Sequence, residues 1–312
     1  FLAPMRPVLY LFVGLLAACR DRSHDRAPAA VVIDAAMASA PGAPASPPRS
    51  PITLTYLGVA GWQLEAAGKT ILADPYFSRP TDPDAPLVPD AAAIAARAPA
   101  RADLIVIGHS HHDHLLDAPA VALRTGAELL GSATTAHIAR ASGVPDDRII
   151  TVKGGEDFAM DGYSLRVIPS LHSALADKHV FGGALTAPPT LPQPAAGYPE
   201  GGTLAYLVRI AGYEVLILST ASFIEREVEG LRPDVAIIAV GLRQEIHDYT
   251  CRLLRALGNP PLVYANHFDA WRRPPVDEPP DDDLLAFVDE VRRSAPGSRA
   301  VVPKHFEPMT IE

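Results

Sequence analysis

From Ile52 onward, short apolar runs alternate with polar, glycine-bearing turns. The stretch ITLTYLGVAGWQLEAAGKTILADPYFS, starting at Ile52, predicts strand, turn, strand, turn and strand. AAAIAARAPA, from Ala91, predicts a short helix. ADLIVIGH, from Ala102, predicts a buried strand because its apolar run is unbroken. ALRTGAELLGSATTAHIARASG then alternates helix, strand and helix, and RIITV, DFAM and YSLRVIPS predict three short strands. TLAYLVRI and YEVLILST predict a hairpin across Ala211 and Gly212. PDVAIIAVG is a further buried strand, IHDYTCRLLRALG a helix and PLVYANHFD a strand and loop. DDDLLAFVDEVRRSAPG is a helix with an acidic start, and RAVVP the expected last strand. Two runs of strands with interspersed helices predict sheets packed together with helices outside.

Between these elements DKHVFGGALTAPPTLPQPAAGYPEGG, from Asp177, is too long and too rich in Pro and Gly to be a simple connection. Long loops in compact domains are commonly functional. The segment from about Ala174 to Gly202 is expected to cover a pocket.

The first 50 residues read differently. MRPVLYLFVGLLAAC places Met5 and Arg6 before an apolar run from Val8 to Ala18, too short to span a bilayer comfortably and suited to a signal segment. Its end, LAAC, resembles the bacterial lipobox. That resemblance implies a signal over residues 1–19, lipidation of Cys19 and a membrane anchor. With Arg20 after the cysteine, it implies an outer-membrane lipoprotein on the periplasmic side of the cell envelope. Residues 20–50, with ASAPGAPASPPRSP, read as an Ala/Pro-rich tether that cannot bury a core. Residues 51–312 are the expected folded domain.

Composition narrows the function classes. Hydrophobic residues make up 48% of the 312, enough for a sizeable core, and the formal net charge is -9. A nucleic-acid binder needs a basic face, so that class is excluded. Only Cys19 and Cys251 are cysteines. With Cys19 lipidated there is no disulfide framework, and Cys251 reads as a small buried helix residue rather than a catalytic thiol.

IVIGHSHHDHLLD, from Ile105, places His109, His111, Asp113 and His114 just beyond a predicted strand. Histidines at i and i+2 on an extended segment can turn towards one cation, with Asp113 and His114 facing a neighbouring position. Neutral imidazole is the commonest zinc ligand and also suits other first-row ions. His172 in VIPSLHS and His267 in VYANHFD follow later strands. His137 and His247 are expected on helices, at the surface or in the core. His179 lies in the long loop, where it could line the pocket.

HSHHDH resembles the His-x-His-x-Asp-His signature of the metallo-β-lactamase superfamily, from about Ile52 to the C-terminus. TYLGVAGWQLEAAGKTILADPYFS resembles the opening of the branch containing L-ascorbate 6-phosphate lactonase and N-acylphosphatidylethanolamine phospholipase D. The resemblance implies an α/β fold: an αββα sandwich of two mixed β-sheets flanked by helices. It implies one metal on His109, His111 and His172, and a second on Asp113, His114 and His267. It also implies catalytic roles for Asp113, in orienting or deprotonating water, and for His267. Zn, one or two ions, is the implied cofactor, with Mn or Fe as alternatives.

One feature departs from the family pattern. A bridging aspartate is expected in the turn after YEVLIL, but Ser219, Thr220, Ala221 and Ser222 stand there. A bridging carboxylate offsets repulsion between two close cations, whereas a hydroxyl supplies oxygen without charge. Thr220 and Ser219 are the candidate substitutes, and weaker second-site occupancy, a single metal or a different metal is expected. Glu225 reads as a residue of a surface helix, and Asp74 as an outer partner for a ligand histidine. The expected function is metal-dependent hydrolysis of an ester, lactone or phosphodiester in a small-molecule or lipid substrate. The alternative is a metal-binding envelope lipoprotein with weakened or lost catalysis. A redox role would normally want extra carboxylate ligands for iron, and none is found.

Overall fold

The computed structural model describes residues 49–180 and 182–312. The expected signal, the lipidation site Cys19 and nearly all of the tether lie outside the described residues. Among those described, no helix is long and apolar enough to cross a membrane.

Two seven-stranded mixed sheets form the centre. The first contains β1 (Ile52–Gly58), β2 (Gly61–Ala66), β3 (Lys69–Ala73), β4 (Leu104–Val106), β5 (Glu128–Gly131) and β6 (Ile149–Thr151). The second contains β7 (Asp157–Met160), β8 (Tyr163–Pro169), β9 (Leu204–Ile210), β10 (Tyr213–Leu218), β11 (Val235–Ala239), β12 (Leu262–Asn266) and β13 (Arg299–Val301). RAVVP is therefore not the last strand. β14 (Pro308–Ile311) follows and pairs antiparallel with β1, completing the first sheet. Its alternate exposure, short length and leading proline hide it from an apolar-run reading.

The two sheets share one plan. From β14 through β1 and β2 to β3 the pairings are antiparallel, then parallel from β3 to β6. From β7 to β10 they are antiparallel, then parallel from β10 to β13. Each sheet thus switches from hairpins to parallel crossovers near its middle. Ligands in such sheets bind beyond the carboxyl ends of the parallel strands.

A central core packs the inner faces together, with Leu54, Trp62, Val106, Tyr206, Ile217 and Tyr264 among its buried members. The outer face of the first sheet is covered by α1 (Ala91–Arg97), α2 (His112–Leu115), α3 (Ala118–Thr125) and α4 (Ala133–Ala141) through Ile94, Leu115, Val121 and Ile138. The outer face of the second is covered by α5 (Glu225–Val228), α6 (Tyr249–Ala256) and α7 (Asp282–Ser294) through Val228, Leu253 and Phe287. Caps set several helix starts: the Asp90 carboxylate accepts from Ala92 N and Ala93 N, and that of Asp281 from Leu284 N. Cys251 is half-buried on α6 rather than fully buried.

Candidate metal centre

β4 ends at Val106, and the chain stays extended through His111 before turning into α2. That change separates the histidines. His109 and His111 project from the extended part, while Asp113 and His114 lie on the first turn of the helix. Gly108 allows this crossing. A Cβ there would lie 2.4 Å from Ser219 Oγ, closer than real side chains come, and a tight 3.0 Å from Asp74 Oδ2. The Gly108 carbonyl also accepts the Leu204 N–H, and the Tyr206 hydroxyl donates to Ile107 O. The end of β4 is thereby pinned to β9 of the other sheet.

Two clusters form there. His109, His111 and His172 bring ligand nitrogens within 4.8 Å of one another, and so do the ligand atoms of Asp113, His114 and His267. The six residues expected at the centre are all brought together. His109 Nε2 lies 3.0 Å from His111 Nδ1, and the His109 and His114 rings are 3.8 Å apart. His267 Nε2 is 3.5 Å from Asp113 Oδ2.

Outer hydrogen bonds decide which nitrogen of each ring is free. His114 Nδ1 donates to Asp74 Oδ2 at 3.0 Å, so its Nε2 carries the lone pair; that atom is buried without a hydrogen-bond partner. His172 Nδ1 donates to the Ser173 carbonyl at 2.8 Å, which leaves its Nε2 available. Asp74, fully buried, is the expected outer partner, and its other oxygen accepts the Gly108 N–H at 2.7 Å.

The electrostatics agree with cation binding. Burial, then the neighbouring histidines, hold His109 well below its usual value. Burial, followed by His172, lowers His111 to about 4. Both rings are neutral at pH 7 and offer lone pairs. Burial alone would raise Asp113, but His114 and His267 outweigh it and hold the carboxyl well below its ordinary range. His114 differs: burial would lower it, but Asp113 and Asp74 outweigh that and raise it, so a cation at the second cluster must displace its proton. Neutral His109 and His111, the ionised Asp113 and, once that proton leaves, the buried His114 Nε2 form a donor set suited to a divalent ion.

His267 needs its own support. Its backbone is left-handed, with φ 51, as is that of Val59, with φ 54. Such conformations persist only where surroundings over-determine them. His267 N donates to Val59 O at 2.7 Å, and Val59 N donates to Asp269 Oδ1 at 2.7 Å. Asp269 also accepts from the Tyr56 hydroxyl, from Arg79 Nη1 and from His305 Nε2. Before His267, Asn266 donates to Leu218 O and accepts from Trp62 Nε1. The sequence reading missed Asp269, Arg79 and His305; Asp269's position two residues after His267 was the available signal.

The turn after β10 carries no acid. Ser219 packs on Gly108 and stands outside the cavity lining. Thr220 does line it. Its Oγ1 accepts from Ser173 N at 3.1 Å and donates to Ser173 Oγ at 3.0 Å, leaving one lone pair. Glu225 begins α5 and pairs with Arg252 at 2.7 Å, as expected of a surface acid.

Three other histidines fall outside the centre. His137 is half-buried on α4, as expected. His179 is 79% exposed, pairs with Asp177 and lines no part of the cavity, because the segment carrying it turns outward. His247 is not helical: Asp248, with φ 45, breaks the chain direction, and α6 starts after it. The long loop does cover the centre. Ser110 N donates to Glu200 O, and Gly182, Ala195, Ala196, Tyr198 and Pro199 line a cavity of about 540 Å³ together with the six site residues.

Fold and centre together define a metallo-hydrolase-type sandwich. The model of the beta-lactamase superfamily domain matches residues 53–253, and the chain belongs to that family. Over 235 residues it is 26% identical to a UPF0173 metal-dependent hydrolase of Methanopyrus kandleri, covering 73% of this chain and 88% of the relative. Its fold is similar to a metallo hydrolase from Ignicoccus hospitalis, with TM-score 0.58 and 21% identity over 84% of this chain and 99% of that one. It is also similar to CmlA, a diiron beta-hydroxylase from Streptomyces venezuelae, with TM-score 0.55 and 18% identity over 85% of this chain and 54% of that one.

Proposed function

We propose that the chain hydrolyses an ester, lactone or phosphodiester bond at this centre, with zinc as its metal. The coarser statement, that it is a metal-dependent hydrolase, follows from the family and the relatives bearing that name. The observation supporting the finer reading is the pair of ligand clusters opening into one largely apolar cavity.

His109, His111 and His172 would hold one ion, and Asp113, His114 and His267 a second. A divalent cation supplies Lewis acidity and makes water nucleophilic at neutral pH. Asp113, kept ionised, orients a water by accepting its proton in a hydrogen bond. His267, whose Nε2 lies 3.5 Å from Asp113 Oδ2, would complete the second cluster and donate to an oxyanion where no ion occupies it. The covering loop contributes apolar walls to the cavity through Ala195, Ala196 and Pro199.

Thr220 in place of an acid favours one tightly held ion and one weakly held. The same observation favours the second reading, a metal-binding protein without turnover. Zinc-loaded protein assayed on ester, lactone and phosphodiester panels separates them: tight metal with no turnover on any panel would sink the hydrolase reading. We also propose anchoring to a bacterial envelope through Cys19, supported by LAAC. Lipid labelling that persists in Cys19→Ser would contradict it.

A further inference from the structure

Arg272 lines the cavity as an exposed residue, and no ion pair ties it to a carboxylate among the described residues. Its guanidinium sits over the Trp271 ring at 4.1 Å. Trp271 in turn meets His112 edge-on at 4.9 Å, and His112 meets Tyr76 edge-on at 6.4 Å. His112 is 9% exposed, and its Nε2 is buried without a hydrogen-bond partner. It is the histidine of HSHHDH that the ligand clusters do not use. Stacking on an aromatic face fixes a guanidinium plane while leaving its donors free to grip an oxyanion. The other lining residues outside the centre are apolar or uncharged, with Ala195, Ala196, Tyr198 and Pro199 coming from the covering loop.

We infer that the substrate joins an apolar body to an anionic oxygen group, and that Arg272, held on the face of Trp271, which His112 meets edge-on, receives that group as a specificity determinant. The inference rests on the hydrolase reading. The apolar body lies against the loop, and the charge sits at the arginine, away from the ligand clusters. A neutral ester of the same size would fill the same volume but leave the guanidinium without a partner.

Binding separates this inference from turnover. The probes are hexane-1-sulfonate, a weak metal ligand, and 1-hexanol, titrated calorimetrically into zinc-loaded full-length protein. The sulfonate should bind about fivefold more tightly, as one charge-assisted contact to an exposed guanidinium allows. Arg272→Ala should bring the two probes within about twofold, and Arg272→Lys, which keeps charge without the stacked fork, should give an intermediate gap. Equal binding by the wild type, or a gap that survives Arg272→Ala, would overturn the inference. Kinetics add a second readout. With mono(4-nitrophenyl) adipate, Arg272→Ala should raise KM about fivefold at little change in kcat, and with 4-nitrophenyl hexanoate it should leave KM unchanged. A KM change equal for both esters would also overturn it. If neither ester is turned over, the ester branch of the proposed function is what fails, and the calorimetric comparison still decides the role of Arg272.

Discussion

Asp74 and His114 form the contact on which the second ligand cluster depends: Asp74 Oδ2 takes the His114 Nδ1–H at 3.0 Å, and Asp74 Oδ1 takes the Gly108 N–H at 2.7 Å. One carboxylate fixes both the ring tautomer and the backbone from which His109 projects. In Asp74→Asn the amide oxygen can still accept from Gly108, but its NH2 then faces His114 Nδ1. The ring must move its proton to Nε2 and lose the lone pair that faces the centre. Metal affinity, read by chelator competition, should fall about 10–100-fold. Unchanged affinity would show that Asp74 does not set the tautomer.

Thr220 stands where a bridging acid is expected, with its hydroxyl tied to Ser173. Thr220→Asp adds a negative charge between the clusters and offsets repulsion between two cations. Elemental analysis after dialysis should then show about two ions per chain, against about one for the wild type. Two ions retained by both proteins would mean that the hydroxyl suffices.

Gly108 has no room for a side chain, since a Cβ would stand 2.4 Å from Ser219 Oγ. Gly108→Ala should cost about 1–3 kcal/mol in denaturant unfolding, as overpacking does. Adding Ser219→Gly should recover part of the loss. Equal stability of wild type and single variant would mean that the β4 and β10 ends separate easily.

Asp269 and His305 give stability a defined pH dependence. Burial lowers His305, but its hydrogen bonds to Asp269 and Asp277 outweigh that and raise it. Such a group contributes fully below its unfolded value of about 6.5, and the contribution is lost as pH rises through the folded value. The Tm advantage of wild type over His305→Gln should therefore be present at pH 6 and shrink towards pH 9. Burial would raise Asp269, but His305, Arg79 and Tyr56 together depress it. Its contribution is present above about 3.9 and is lost as pH falls through the folded value. Asp269→Asn should accordingly cost several kcal/mol near pH 6, because it also strands the buried Arg79, and the cost should shrink in strong acid. A pH-independent gap for both variants would refute the coupling.

Much of the fold is legible in the sequence because β1 to β5 and β8 to β12 all bury apolar residues. The unbroken runs LIVIG and VAIIAV, and the hairpin across Ala211–Gly212, leave little choice of element. β14 escapes because PMTI is partly exposed and is stabilised by its pairing with β1 rather than by its own apolarity. The ligand histidines are legible because each follows a strand end. The support for His267 is not, because Arg79 and Asp269 lie 190 positions apart, follow strands of different sheets and meet only once the two sheets pack together. His247 was misplaced because Asp248's left-handed backbone is a local choice that helix propensity does not report.

The most direct test is hydrolysis by protein stripped of metal and reloaded with zinc, using the ester, lactone and phosphodiester panels alongside elemental analysis. Turnover on at least one panel should appear with zinc, vanish on stripping and fall about 100-fold or more in Asp113→Asn, which keeps the side chain's shape but removes its charge. Stoichiometric zinc in the wild type with no turnover on any panel would contradict the proposal and leave a metal-binding protein built on a hydrolase fold.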